Sequence, residues 1–511
     1  VIFKLGEDQL TLDVVDKFLR GNVKVEISSS QREKLEKVRQ FVEDHIDGEH
    51  TYYGINTGFG RLANEKIDIK QLEELQTNLI RSHAFGVGES MSEDSVRLMT
   101  LLRAHVIAMG YSGASLPVVD LLTNMVNKRV IPVVPSQGSV GASGDLAPLS
   151  YLALAMIGEG TAFFDGKKYA AKEALKKAGL KPVTLQAKDG LTLINGTQAM
   201  TALAAIAVLR ATELIKLTDI SAALSVEGDR GSSAPFDKEL HKVRAQKGQI
   251  VSAKTMRGLL DGSKIIEAHE DCARVQDPYS LRCIPQVHGA VRDAFYYARE
   301  VVSRELNACT DNPLVFPESG KIVSGGNFHG EPLAVSMDTL GIAVAELGSI
   351  AEKRIEQLTN PKSHDLPVLF LTPKPGLNSG FMVPHVVAAS LASENKTLAH
   401  PASVDTLTTS GGQEDHVSMG MWAVRKIHQI IQNVEWINII EITAACQAID
   451  LHENKYDPGK GTKAAYGFVR GHVAYLDQDR WLMPEVEKLR AAILDGGLVR
   501  SVEKYLGEWT I

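Results

Sequence analysis

Cysteine is scarce in this chain: Cys272, Cys283, Cys309 and Cys446 are the only four in 511 residues. None forms a Cys-x-x-Cys pair, which excludes a zinc ribbon. So sparse a set suits a reducing compartment better than a disulfide scaffold, and a cytoplasmic location is the expectation. Long apolar runs are also missing. No uninterrupted stretch of about eighteen apolar residues occurs, so no membrane span is expected. The first residues carry Glu7, Asp8 and Asp13, and no basic region leads into an apolar run, so they do not read as a secretory signal. Nor is there a basic excess. Lys and Arg total 55 against 62 Asp and Glu, a net charge of -7, which argues against nucleic acid or an anionic membrane as partner. Several catalytic frames are absent as well. There is no His-Glu-x-x-His and no compact pair of histidines with a carboxylate, so no metal site is expected. Ser143 lacks the Gly-x-Ser-x-Gly elbow of a hydrolase. Gly86-Val87-Gly88 lacks the spacing of a dinucleotide fingerprint, and no succession of βαβ units is visible.

What the chain does contain is helix. Gln31, Arg32, Leu35, Val38, Phe41 and Val42 are spaced as one apolar face over 30–48. Helical patterning continues at 70–82, 94–109 and 116–128. Long apolar helices are expected at 196–226, 283–309, 331–357 and 417–450, with few breakers inside them. Asp165-Gly166 suggests a hairpin within 162–190, followed by a short helix near 170–177. Loops gather at 54–60, 227–235, 307–329, 359–380 and 400–416. Length suggests roughly two to four domains. Helices this long and apolar pack on one another, within one chain or against copies of it.

The most unusual stretch is Gly138-Ser139-Val140-Gly141-Ala142-Ser143-Gly144-Asp145. Glycine permits conformations that a Cβ forbids. A tight turn over Ala142-Ser143-Gly144 brings the Gly144 nitrogen toward the Ala142 carbonyl, so the peptide can react with itself and form an electrophile. Chemically capable side chains collect in the breaks between helices: Tyr53, His83, Asn195, then Gln276, Tyr279 and Arg282, then Asn312 and Phe328, and finally Gln413-Glu414-Asp415-His416. Each has a structural reading on its own. Asn195 and Asp415 stand where helix caps stand, and Arg282 could simply close an ion pair.

Taken together these segments resemble the aromatic amino acid ammonia-lyases. The resemblance rests on Gly138 to Leu149, with Tyr53 to Gly60, Leu193 to Gln198, Gln276 to Arg282, Thr310 to Leu314 and Gly325 to Gly330 in the same order. It extends over essentially the whole chain. It implies a mainly α fold: a long-helix bundle of the fumarase/aspartase-like type in 196–511, with a smaller N-terminal α+β part in 1–195 carrying the Ala-Ser-Gly loop. It also implies that Ala142, Ser143 and Gly144 cyclise and lose water to give 4-methylidene-imidazol-5-one, so that no external cofactor is needed.

Within the family, Ser82-His83-Ala84 and Gln413-Glu414-Asp415-His416 resemble the histidine-acting branch. Its reaction takes L-histidine to trans-urocanate and ammonia. Phenylalanine- and tyrosine-acting relatives carry an amide where Glu414 stands, and a carboxylate can pair with an imidazole N–H. The resemblance assigns Tyr53 as base, Arg282 as clamp on the substrate carboxylate, and Asn195 and Tyr279 as donors to the electrophile. It assigns His83 and Glu414 to the imidazole, Gln276 and Asn312 to ordering the pocket, and Phe328 to packing near the ring. It further implies a homotetramer whose active sites each draw on three subunits. Two positions depart from the family pattern: Tyr151 replaces a histidine, and Gly412 replaces an asparagine just before Gln413. Competing readings are a lyase for tyrosine or another aromatic amino acid, a 2,3-aminomutase sharing the same electrophile, and an inactive helical scaffold.

Overall fold

The computed structural model describes residues 1–46, 57, 71–269, 274–360, 368–506, 509 and 511. Its architecture is mainly α, of the fumarase/aspartase-like kind, with a smaller N-terminal α+β region. Four long helices dominate: Gln198–Gly228, Ile284–Glu305, Glu331–Thr359 and Gly420–Leu451. All four fall where the apolar periodicity places them. Shorter helices at Ser29–Ile46, Leu72–His83, Glu93–Ala108 and Leu116–Lys128 also follow the sequence pattern. One of the long helices, Glu331–Thr359, is apolar and long enough to cross a membrane by length and composition, and 56% of its most apolar window is buried inside the protein. The uninterrupted-run criterion passes it over because Asp338 and Glu346 break the apolar sequence.

The chain divides into two compact units. The first comprises Val1–Ala207, Arg299–Asp338 and Pro401–Arg425. Its centre is the helix Glu93–Ala108, capped by the Ser92 hydroxyl, which accepts from the Ser95 N–H at 3.2 Å. Every residue from Leu98 to Ala108 on that helix is buried. Four small sheets decorate this unit. Ile2–Lys4 pairs in parallel with Lys24–Glu26. A three-stranded antiparallel sheet contains the expected hairpin, Thr161–Phe164 with Lys167–Ala170, plus Ile131–Pro132. Val87–Ser90 pairs antiparallel with Pro135–Gln137, which ties the chain just after His83 to the chain just before Gly138. Leu314–Phe316 pairs with Lys321–Val323 inside 307–329, a stretch that the sequence reads as loop.

The second unit comprises Val208–Ala298, Thr339–His400 and Lys426–Ile511. It includes a helix the periodicity passes over, Met382–Leu398. At its core Arg354 and Glu441 are both fully buried. The Glu441 carboxylate accepts from Arg354 Nη2 at 3.1 Å, from Ser221 Oγ at 2.8 Å and from Ser225 Oγ at 2.7 Å. A buried ion pair survives only when its remaining lone pairs are satisfied in this way. Arg354 Nη1 also reaches the Ser280 carbonyl at 3.5 Å, and Ser280 lies on the one-turn helix Tyr279–Arg282. Arg354→Ala is therefore expected to lower stability by about 3–5 kcal/mol, because it strands a buried carboxylate. Thermal unfolding measured beside the wild type checks this, and a shift within error would show the pair to be dispensable.

Candidate active site

The glycine stretch is held by backbone contacts that leave no room for side chains. Gly144 has φ 73° and forms a parallel bridge with Gly196. The Asp145 N–H donates to the Gly196 carbonyl at 2.7 Å. A Cβ on Gly144 would lie 2.1 Å from that carbonyl oxygen, and one on Gly196 would lie 2.5 Å from both Arg103 Nη1 and Gln198 Oε1. Glycine at both positions is a steric requirement of the approach. Below Gly196 lies a buried polar platform. Arg103 donates to Gln198 Oε1 at 2.7 Å and to the Thr192 carbonyl. Gln198 in turn donates to Thr310 Oγ1 at 2.8 Å. Lys188, also fully buried, reaches Asp311 Oδ2 at 3.1 Å.

The other edge of the stretch is held by residues 330 and 418–419. The Met419 N–H donates to the Val140 carbonyl at 2.9 Å. The Gly141 carbonyl accepts from the Gly330 N–H at 3.1 Å and from Ser418 Oγ at 2.9 Å. Asp145 is fully buried; its Oδ2 accepts from the Met200 N–H at 2.8 Å and its Oδ1 from Ser139 Oγ at 3.2 Å. Burial pushes its carboxyl up to about 7, with those hydrogen bonds opposing the rise.

Three of the candidate side chains meet here, and His83 is coupled to them electrostatically. Asn195 sits at the C-terminal end of the helix Asp189–Ile194 and is buried. Its Nδ2 donates to the Ser143 carbonyl at 2.9 Å, while its Oδ1 is buried without a hydrogen-bond partner. Ser143 Oγ donates to Glu414 Oε1 at 2.7 Å. Glu414 Oε2 accepts from Thr409 Oγ1 at 2.6 Å and Ser410 Oγ at 2.7 Å. Burial pushes the Glu414 carboxyl up, but the donors Thr409, Ser143 and Ser410 and the charge of His83 outweigh it, so the group lies below its usual range and is ionised. Burial lowers His83, partly offset by the Leu79 carbonyl and by the Glu414 charge. His83 Nδ1 lies 2.9 Å from the Leu79 carbonyl. A carbonyl can only accept, so Nδ1 is the donor in this contact, with Ser82 Oγ also 3.0 Å from it.

The remaining candidates fall elsewhere. Asn312 has both ends of its amide engaged nearby, with Ser324 Oγ at 3.1 Å and the Gly325 N–H at 2.7 Å. It orders that loop. Phe328 is half-buried two residues before Gly330. Gln276, Tyr279 and Arg282 belong to the second unit. There the Arg282 guanidinium stacks over the Tyr279 ring at 4.5 Å, its Nε buried and unpartnered, while Tyr279 and Gln276 are exposed. Tyr53 lies outside the described residues. An apolar cavity of about 510 Å³ in the second unit, lined by Phe381, Trp436 and Trp481 among others, contains none of the candidates.

Both departures from the family pattern find a place. Tyr151 Oη accepts from the Gly86 N–H at 3.1 Å and so supports the turn after His83. Gly412 has φ 91°, following Ser410 at 51° and Gly411 at 63°. Three successive positive φ values reverse the chain ahead of Glu414, and glycine takes them without a Cβ penalty. The sequence reading missed Thr409 and Ser410. Their only signal is a run of hydroxyl residues beside a candidate carboxylate.

A helical protein with an Ala-Ser-Gly turn held against Gly196, an amide on that turn's carbonyl and an ionised carboxylate beside its serine is built as a carbon–nitrogen lyase. The sequence matches the aromatic amino acid lyase family over residues 10–471, and the chain belongs to that family. It is 47% identical to a histidine ammonia-lyase of Alkaliphilus oremlandii over 497 residues, 97% of each chain. Among solved structures it is similar to histidine ammonia-lyase from Trypanosoma cruzi, with TM-score 0.90 and 40% identity over 99% of this chain and 96% of that one. It is also similar to tyrosine aminomutase from Streptomyces globisporus, with TM-score 0.92 and 36% identity over 99% of both.

The buried Asp145 yields a stability prediction. Its folded value near 7 lies above the ordinary 3.8 of an aspartate, so between about pH 4 and 7 the folded state holds a proton that the unfolded state has lost. This group's contribution to stability is full below pH 4 and falls as pH rises to 7. Asp145→Asn removes that component. The melting temperature of the variant is expected to decline less than that of the wild type between pH 4 and 7, and parallel curves would contradict the assignment.

Proposed function

We propose that this chain is a histidine ammonia-lyase, eliminating ammonia from L-histidine to give trans-urocanate. The observation that carries the reading is the Glu414 carboxylate, ionised, hydrogen-bonded to Ser143 Oγ at 2.7 Å and electrostatically coupled to His83. An imidazole ring placed over the triad finds an acceptor for its N–H in Glu414. A phenyl ring leaves that acceptor without its partner, and an unpaired, half-buried carboxylate oxygen is costly.

The residues around the triad suit the prosthetic group that the family forms. Gly144 lacks the Cβ that would obstruct its approach to Gly196, and Asn195 donates to the Ser143 carbonyl. Once formed from Ala142, Ser143 and Gly144, 4-methylidene-imidazol-5-one supplies an electrophile for the substrate amine. The chain's own side chains do the rest. Asn195 holds the carbonyl at position 143 and stabilises charge developing there. Arg282 pairs with the substrate carboxylate through its planar fork, and Tyr279 joins Asn195 as a donor to the electrophile. Tyr53 is the base for the β-proton, a role resting on the family resemblance. An arrangement in which Gln276, Tyr279 and Arg282 approach the triad of another subunit accords with the homotetramer the family resemblance implies, and light scattering tests that assembly.

Incubation with histidine is expected to generate the ultraviolet absorbance of urocanate, while tyrosine and phenylalanine give little product. No urocanate from histidine would overturn the reading. Intact-mass measurement should find the triad peptide lighter by two water molecules. Glu414→Gln is expected to reduce kcat/KM for histidine about a hundredfold, the scale of losing a hydrogen bond to a charged group. An equal loss on tyrosine would remove Glu414 as the ring reader.

A further inference from the structure

The two oxygens of Glu414 are not equivalent. Oε1 accepts from Ser143 Oγ, whereas Oε2 accepts from both Thr409 Oγ1 and Ser410 Oγ. If the triad matures, Ser143 loses its Oγ as water, and with it Oε1 loses its donor. The two donors on Oε2 remain. The carboxylate then has one oxygen held by the protein and one left for a ligand.

The backbone is arranged to make this possible. Thr409 and Glu414 form an antiparallel bridge, with the Thr409 N–H donating to the Glu414 carbonyl at 2.9 Å. Between them the chain reverses through Ser410 at φ 51°, Gly411 at 63° and Gly412 at 91°. Glycine fills two of these positive-φ positions. The third is serine, a residue that rarely adopts that conformation, and its hydroxyl lies on Glu414. Strain accepted at a residue whose side chain contacts a reactive group points to use of that side chain.

We propose that Thr409 and Ser410 are positioning residues for Glu414, their hydroxyls fixing Oε2 so that Oε1 is presented to the imidazole of the substrate. The inference rests on the histidine reading above and names the groups that orient its ring reader. A glutamate otherwise has three rotatable bonds to order, and ordering them in advance improves binding of the transition state. The titratable group coupled to Glu414 from another element is His83, on the helix Leu72–His83. Asp415 and His416 adjoin it on its own segment. Thr409 is half-buried and Ser410 is exposed, so Thr409 carries the larger share, since water replaces an exposed donor readily.

The test uses the full-length protein with Thr409→Val, which keeps shape and removes the hydroxyl, Thr409→Ser, which restores it, and Ser410→Gly, which removes a hydroxyl without adding strain. Thr409→Val is expected to lower kcat/KM for histidine about thirtyfold, and Ser410→Gly about threefold. Thr409→Ser should return to within about twofold of wild type. Because donors to the ionised form hold a carboxyl down, their loss moves the acid limb of the kcat/KM profile to higher pH. Triad mass should be unchanged in all three. A Thr409→Val enzyme with wild-type kcat/KM and an unmoved acid limb overturns the proposal, as does Thr409→Ser as impaired as Thr409→Val. Wild-type turnover of histidine is read separately and decides the substrate. If the wild type turns over a different amino acid, the same ratios are read on that one. A crystal structure of Thr409→Val gives an answer without any substrate: the carboxylate turned from position 143 supports the clamp, and an unchanged carboxylate refutes it.

Discussion

The close approach of two glycine backbones, Gly144 and Gly196, is the constraint on which the rest of the site depends. The Asp145 N–H donates to the Gly196 carbonyl at 2.7 Å, and neither glycine has space for a Cβ. That contact fixes the turn over Ala142-Ser143-Gly144 from below. It also places Asn195, one residue before Gly196, within hydrogen-bond distance of the Ser143 carbonyl. The platform that holds Gly196 is polar and fully buried, with Arg103 and Lys188 among its members. Buried cations are expensive unless paired, and here Asp311 lies near both. A hydrophobic platform would pack as well but would not define the direction of a carbonyl. Hydrogen bonds do, so the stretch is set in one geometry.

Much of this was legible in the sequence, and the legible parts share a physical character. The helix Leu116–Lys128 matches its expected span because its apolar spacing and its Pro117 give local signals. The hairpin at Asp165-Gly166 was legible for the same reason: both of its turn residues adopt positive φ. The gathering of His83, Ser143, Asn195 and Glu414 came from family resemblance, since nothing in the spacing of residues 83, 143, 195 and 414 dictates contact. What stayed hidden is non-local or very short. The parallel pair Ile2–Lys4 with Lys24–Glu26 has three residues per strand, too few for an alternation to stand out. Leu314–Phe316 with Lys321–Val323 is equally short and sits among loop residues. Met382–Leu398 was missed because its polar and apolar residues are mixed around the helix, with Met382, Val383, Val386 and Val387 exposed.

The two departures from the family pattern illustrate how a sequence difference acquires meaning only from its surroundings. Tyr151 lies on the helix Leu146–Met156 that follows the triad, and its hydroxyl accepts the Gly86 N–H. It thus links the helix leaving the electrophile stretch to the turn leaving His83. A pairing between Val87–Ser90 and Pro135–Gln137 links the same two segments through the backbone. The two ties are independent, so His83 is fixed relative to Ser143 by sheet and by side chain. Gly412 removes an amide from the 409–414 reversal but occupies a conformation that glycine adopts freely.

Electrostatics then separates this site from a generic polar cleft. A half-buried carboxylate left alone would rise toward neutrality, and a neutral Glu414 would be a donor as well as an acceptor. Three hydroxyl donors and the neighbouring His83 hold it ionised instead. His83 is pushed the other way by burial and keeps its Nδ1 proton on the Leu79 carbonyl. Glu414 is thus an ionised acceptor beside the triad's serine. In the proposed reading, a ring bearing an N–H supplies Oε1 with a donor once the Ser143 hydroxyl is gone, where a hydrocarbon ring does not. In the proposed reaction, discrimination comes from leaving polar groups unpaired with the wrong ligand, so the orientation of one carboxylate, more than the volume of the pocket, carries the choice of substrate.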